Sequence, residues 1–86
     1  MADFDPAKDA INLSKHGVSL ARWIDLEIFA IARDDRFDYG EVRYRAYGLI
    51  DGAAHCLVFT VRDRRYRPIS LRRAHVKELR RYAPKS

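Results

Sequence analysis

The sequence predicts an α+β domain with two N-terminal helices, an antiparallel β-meander and a basic C-terminal helix. Helix start and stop signals come first in the chain, and three aromatic or β-branched runs then follow one another across short turn segments. These runs are VRYRAYGLI (42–50), HCLVFTVR (55–62) and YRPISL (66–71). A chain of 86 residues suits a single modest core. We therefore expect residues 1–86 to form one domain.

The first helix is predicted from Pro6 to about His16. Asp5 is a typical N-cap residue, proline suits the first helical position, and Gly17 can take the left-handed conformation that closes a helix. Lys15 and His16 complement the negative end of the helix dipole. The same two side chains would also suit a site beside a phosphate, so both interpretations stay open at this point.

A second helix is predicted over residues 20–30, with Ser19 as its cap. Apolar residues recur there at helical spacing, Trp23 and Ile28 among them, so we expect this helix to be largely buried. The polar stretch DDRFDYG then predicts a loop before the first strand run. A short strand at residues 2–4 could precede the first helix.

Period-two alternation separates two faces along the first strand run. Glu41, Arg43, Arg45 and Tyr47 fall on one face and mostly apolar residues fall on the other, so one face is either wet or functional. The middle run is apolar on both faces, which favours a central position. Pro68 has no backbone N–H to donate, so the third run either lies at an edge there or has this missing donor facing away from a neighbouring strand.

The basic C-terminal helix is predicted over residues 72–83. Ser70 would cap it, and Val76, Leu79 and Ala83 would face inward.

Positive charge is concentrated toward the C-terminal end of the chain. Residues 62–86 hold 10 Lys or Arg against 2 Asp or Glu, whereas residues 1–61 hold 7 against 10. Such a tail, with tyrosines among the arginines, suits a polyanion such as RNA or DNA, although a solvated helix face would have the same composition.

Several protein classes are excluded. The apolar runs are too short to span a bilayer, and the N-terminus lacks the basic-then-apolar pattern of a signal peptide, so we expect a cytoplasmic protein without membrane attachment. A single cysteine, Cys56, cannot form an intramolecular disulfide, and no zinc-like ligand spacing occurs. We expect neither a metal nor another cofactor.

Several short motifs occur in a specific order. They are FDPAK (4–8), N-x-x-KHG (12–17), DYGEVRY (38–44), VFT-x-R (58–62), IS-x-RRA (69–74) and a closing ELRRY, with a glycine at position 48. In these motifs the sequence resembles the BrnT toxins of bacterial type II toxin-antitoxin systems, which are small ribonucleases. The resemblance covers nearly the whole chain, and only Pro68 and Leu71 depart from the family's pattern.

The resemblance implies a RelE-like fold, RNA as substrate and growth inhibition by RNA cleavage. It also implies a ribbon-helix-helix antitoxin, similar to BrnA, as the partner protein. Operator DNA would then be bound only through the toxin-antitoxin complex. A non-catalytic nucleic-acid-binding or regulatory module that uses the same basic surface is the alternative.

Metal-independent RNA cleavage uses the ribose 2′-hydroxyl as nucleophile. The protein must accept its proton, protonate the departing 5′-oxygen and stabilise charge on phosphorus. His16 is the first candidate for proton transfer, and Lys15 would hold the phosphate or favour the neutral imidazole. Glu41 could act as a base or form an ion pair with Arg43.

Arginines suit charge stabilisation because their planar forks bind phosphate oxygens bidentately. His55 looks like a packing residue at a strand end, and His75 falls among arginines, so both are weaker candidates for proton transfer. The catalytic candidates are Lys15, His16, Glu41, Arg43, Arg64 and Arg72. The RNA-binding candidates are Arg62, Arg73, Tyr66, Arg80 and Tyr82.

Overall fold

The computed structural model describes residues 6–34 and 40–82. The elements in chain order are α1 (Pro6–His16), a 3₁₀ helix (Leu20–Asp25), β1 (Glu27–Asp34), β2 (Arg43–Ile50), β3 (Ala53–Arg62), β4 (Arg65–Arg73) and α2 (Val76–Tyr82). The strands form an antiparallel sheet in the order β1-β2-β3-β4. The α+β class and the meander are confirmed. The strand considered at residues 2–4 lies outside the described residues.

The predicted second helix is wrong in its C-terminal half. A 3₁₀ helix ends at Asp25, and residues from Glu27 onward pair with β2 as an edge strand. Apolar residues at helical spacing also fit a strand when they are β-branched or aromatic, and backbone pairing with β2 decides between the two. Ile28 is consequently 48% exposed instead of buried.

The C-terminal helix begins later than predicted, at Val76. Arg72 and Arg73 continue β4, because they pair with the start of β3, and Ala74 extends the pairing with a hydrogen bond of 2.9 Å to the Ala54 carbonyl. Ser70 therefore lies within β4 and caps no helix.

Inward-facing residues of α2 were predicted only in part. Leu79 is buried, but Val76 is 58% exposed. Ala83 lies outside the described residues.

The sheet has a core on each of its faces. The larger core lies under α1 and the 3₁₀ helix, and it contains the buried side chains Leu20, Ala46, Ile50, Leu57, Phe59 and Leu71. The smaller core lies under α2, where Leu79 packs with Tyr47 and Cys56. The alternation predicted for β2 is confirmed, although the polar face is partly covered by α2. No helix in the two described ranges is long and apolar enough to cross a membrane.

β4 contains a one-residue bulge. Val58 pairs with Ser70 and Phe59 pairs with Pro68, so Ile69 is the extra residue. Among the described strands β4 lies at an edge of the sheet, which is one of the two arrangements predicted from the proline.

Candidate functional site

One face of the sheet carries arginines from three strands. Register and alternation place the following side chains on this face, which we call the basic face: Arg43 and Arg45 of β2, Arg62 of β3, and Arg65 and Arg67 of β4. The helix α2 packs beside them and brings Lys77 and Arg81 near Arg45, around a pocket of about 180 Å³. Positive charge concentrated in this way attracts a polyanion.

Glu41 lies between two of these arginines. Its Oε2 accepts a hydrogen bond of 2.9 Å from Arg62 Nη2, and its Oε1 is 3.5 Å from Arg43 Nε. The hydrogen bond from Arg62, assisted by the charge of Arg43, lowers the pKa of Glu41 from its ordinary value. A carboxylate with a lowered pKa is a weak base, so these contacts favour an ion pair over a general base.

Arg72 is engaged by α2. Its Nη2 and Nη1 donate to the two carboxylate oxygens of Glu78 at 3.0 and 3.2 Å. The same carboxylate accepts a hydrogen bond of 2.9 Å from the His75 N–H at the start of α2. Hydrogen bonding to Arg72 lowers the pKa of Glu78. Arg72 therefore holds the start of α2 against the end of β4.

The last turn of α1 faces a different cavity, which we call the His16 pocket. It has a volume of about 290 Å³, and its lining includes His16, Arg22, Asp51, His55 and Arg73. His55 and Arg73 are partners in the ladder between β3 and β4, so their side chains are neighbours on one face. The pocket thus brings together two imidazoles and a guanidinium from three different elements.

The geometry of the α1 terminus fits both interpretations of the KHG motif. Gly17 has a φ of +73° and donates a hydrogen bond of 2.9 Å to the Leu13 carbonyl, which closes the helix. Lys15 is exposed and lines a smaller pocket of about 160 Å³ that includes Lys8 and His16. Helix closure and a phosphate site are therefore compatible at this end of α1.

Other predicted site residues lie apart from both regions. Arg64 is exposed in the turn between β3 and β4, at the opposite end of the sheet from the His16 pocket. Tyr66 packs edge-on against Phe59 with ring centroids 5.8 Å apart, on the face opposite the basic face. Arg80 is exposed on α2, and the side chain of Tyr82 lies outside the described part of the chain.

The cysteine of the chain lies in the smaller core. Cys56 is buried, and this burial raises the pKa of its thiol, which keeps it unreactive. Within residues 6–34 and 40–82 no group of three or more His, Cys, Asp or Glu side chains is placed to hold a metal ion.

Comparison with known proteins identifies the family. A family model described as "Ribonuclease toxin, BrnT, of type II toxin-antitoxin system" matches residues 4–78. The chain belongs to the BrnT family. This confirms the resemblance drawn from the motifs: the chain is a ribonuclease toxin of a type II toxin-antitoxin system. No curated protein and no solved structure matches the chain.

The motifs of this BrnT chain divide between the two regions. His16 and Gly17 of the KHG motif line the His16 pocket, whereas Glu41 of the GE-x-R motif contacts Arg43 of the basic face. The IS-x-RRA motif contributes to both, because the consecutive residues Arg72 and Arg73 point to opposite faces of β4.

Three side chains of these regions were not predicted as site residues from the sequence of this BrnT protein. Arg45 was placed on the polar face of β2 but was given no role. Arg67 stands between Tyr66 and Pro68 in the sequence. Its position on the basic face of the sheet is clear only once the bulge in β4 is known. His55 was interpreted as a packing residue. Alternation along each strand was the signal available in the sequence. Alternation assigns side chains of different strands to a common face only when the register between the strands is known, and the sequence does not give that register.

Proposed function

We propose that this BrnT chain is a metal-independent RNA endonuclease whose reacting phosphate is held in the His16 pocket. The observation that carries this proposal is the presence of His16 and Arg73 around one cavity. An imidazole can donate or accept a proton near neutral pH. A guanidinium binds phosphate oxygens and stays charged at every relevant pH.

The basic face supplies the RNA-binding surface in this proposal. Between the level of Arg67 and that of Arg73 the sheet advances by five residues of β3, about 17 Å at roughly 3.3 Å per residue. A segment of single-stranded RNA a few nucleotides long covers that length. The end of β4, where Arg72 and Arg73 point to opposite faces, joins the basic face to the pocket.

The reaction would follow the 2′-hydroxyl route. Attack on phosphorus places additional negative charge on the phosphate oxygens, and Arg73 is positioned to stabilise that charge as it develops. Lys15, exposed one residue before His16, adds a cation on the same helix turn.

The test is RNA cleavage by the purified protein in EDTA. We expect cleavage by the parent, loss of kcat in His16→Ala and Arg73→Gln, and a raised KM with little change in kcat in Arg67→Gln. Products ending in a 2′,3′-cyclic phosphate and a 5′-hydroxyl would identify the route. Circular dichroism of each variant establishes that it is folded.

Two results would overturn the proposal. Intact RNA at high protein concentration, with binding retained, would identify a nucleic-acid-binding module. Cleavage that requires a divalent cation would exclude the metal-independent route.

We also propose that the antitoxin is a ribbon-helix-helix protein similar to BrnA, and that the pair acts in the cytoplasm. Family membership supports an antitoxin partner, and the arrangement with a DNA-binding antitoxin follows from the resemblance. Gel-shift assays with the promoter DNA of the operon test this: a shift by the complex and none by the toxin alone is expected. A shift by the toxin alone would contradict it.

A further inference from the structure

His55 has a defined tautomer in the His16 pocket. Its Nδ1 lies 2.7 Å from the carbonyl oxygen of Ala53, and since a carbonyl can only accept, Nδ1–H is the donor. A neutral His55 therefore carries its free lone pair on Nε2. The residue is only 6% exposed, and it lines the pocket.

The neighbours of His55 in the pocket include side chains suited to a phosphodiester. Arg73 is its cross-strand partner on β4, and His16 approaches from α1 on another side of the same cavity. The remaining charges are Arg22 of the 3₁₀ helix and Asp51 of the turn between β2 and β3. They bind each other at 2.7 Å, so their charges largely offset each other.

We propose that His55 is the general base of RNA cleavage and that His16 is the general acid. This inference rests on the proposed ribonuclease function and names its proton-transfer groups. His55 Nε2 takes the proton of the 2′-hydroxyl while O2′ forms a bond to phosphorus. The bond from phosphorus to O5′ breaks, and the His16 imidazolium gives its proton to O5′. The products are a 2′,3′-cyclic phosphate and a 5′-hydroxyl, and no further reactant is required.

Assignment of the two roles follows from the orientation of His55. His55 has one nitrogen committed to a backbone carbonyl, which orients the other nitrogen as an acceptor and is the usual arrangement of a histidine base. The proton donor is then the other imidazole of the pocket, His16, which is half-buried at the end of α1. The pair thus separates proton acceptance from proton donation on the two sides of one pocket.

A bell-shaped dependence of kcat/KM on pH is expected, because the reaction needs a neutral His55 and a charged His16. The charged groups that face the pair are Arg22, Asp51 and Arg73. Loss of the base should remove the acidic limb of the profile, and loss of the acid should remove the alkaline limb.

His55→Asn is the decisive variant. The Asn side-chain amide can take the place of Nδ1 and keep the hydrogen bond to the Ala53 carbonyl, whereas nothing takes the place of Nε2. We expect a folded protein whose kcat falls about 10²–10⁴-fold, with no acidic limb and unchanged binding of 2′-O-methyl RNA. His75→Asn is the matched control, because His75 lies outside the pocket, and it should keep the parent rate.

A chemically altered RNA separates the two roles. With sulfur replacing the bridging 5′-oxygen at the cleavage site, the leaving group departs without a proton. Cleavage of this RNA should be restored in His16→Gln and should stay slow in His55→Asn.

Different results contradict the inference and the proposed function. A folded His55→Asn with the parent rate, or with an unchanged acidic limb, overturns the role of His55 while ribonuclease activity stands. Restored cleavage of the sulfur-containing RNA in His55→Asn but not in His16→Gln would reverse the two roles. A parent protein that cleaves neither RNA overturns the proposed function and the inference with it.

Discussion

The side chain of Asn12 pairs with both backbone groups of Leu71, a residue 59 positions away in the sequence. Asn12 Oδ1 accepts from the Leu71 N–H at 2.9 Å, and Asn12 Nδ2 donates to the Leu71 carbonyl at 2.8 Å and to the Val18 carbonyl at 2.8 Å. The buried carboxamide takes the place that a further strand would occupy beside β4. It fixes α1, and therefore the KHG motif, against the sheet.

Replacing Asn12 with alanine should destabilise the fold by about 2–4 kcal/mol, because buried backbone groups lose their partners. Urea denaturation measures the change, and the midpoint should fall with little change in m. Ser14→Ala, at an exposed position of the same helix, should stay within about 0.5 kcal/mol of the parent. Equal stability of Asn12→Ala and the parent would show that α1 is held by other contacts.

Gly48→Ala should disrupt the pairing of β1 with β2. A Cβ at this buried position would overlap the Glu27 carbonyl group and come within 3.0 Å of Ile28 Cα. The obstacle is backbone, so we expect a cost of about 3 kcal/mol or more, at the upper end for overpacking. Hydrogen exchange of the β1 amides measures it. The control is Gly52→Ala, where φ is +77° but no atom lies near the added group, so only local strain is expected.

The ion pair between Arg72 and Glu78 should make stability depend on pH. The pKa of Glu78 in the folded protein lies below its ordinary value of 4.5, so the ion pair's contribution is present above pH 4.5. It is lost as the pH falls through the lowered folded-state value. Unfolding free energies of the parent and Glu78→Gln should therefore differ at pH 7 and converge once the pH has fallen below that lowered value.

Arg72→Gln should show the same convergence, and the double variant should add little, since the hydrogen bond from Arg72 is the main cause of the shift. A difference between parent and Glu78→Gln that is constant with pH would contradict this explanation.

Arg67→Gln should weaken RNA binding in a salt-dependent way. Losing one phosphate contact on a single strand reduces the slope of log K against log salt by about 0.7. Fluorescence anisotropy with labelled 2′-O-methyl RNA measures this without cleavage. Arg33→Gln is the control, because Arg33 is exposed on the opposite face of the sheet, and it should keep the parent slope. Equal slopes for the two variants would exclude Arg67 from the RNA path.

Local signals predicted some of these features, and long-range pairing decided the others. Helix α1 followed from Pro6 and Gly17, and the two faces of β2 followed from alternation. The boundary between the 3₁₀ helix and β1 did not follow, because Ile28 and its neighbours suit a helix as well as a strand until β2 is available as a partner. Arg72 and Arg73 were assigned to the C-terminal helix for the same reason, because the sequence does not show their pairing with β3.

The candidate site was predicted only as a set of residue types. His16, Glu41 and the arginines were singled out for their chemistry, but their division between two faces depends on strand register. The interpretation of His55 changed most, because strand pairing brings Arg73 beside it. The RelE-like detail of the fold stays a prediction.

The bulge at Ile69 determines which residue of β3 pairs with each later residue of β4. If Ile69 instead paired regularly with Val58, Arg72 and not Arg73 would pair with His55, and Leu71 would leave the larger core. The bulge therefore decides which guanidinium lies beside the imidazoles of the His16 pocket and which one anchors α2. A β4 without the bulge would exchange the roles of Arg72 and Arg73 although every residue of the motif was still present.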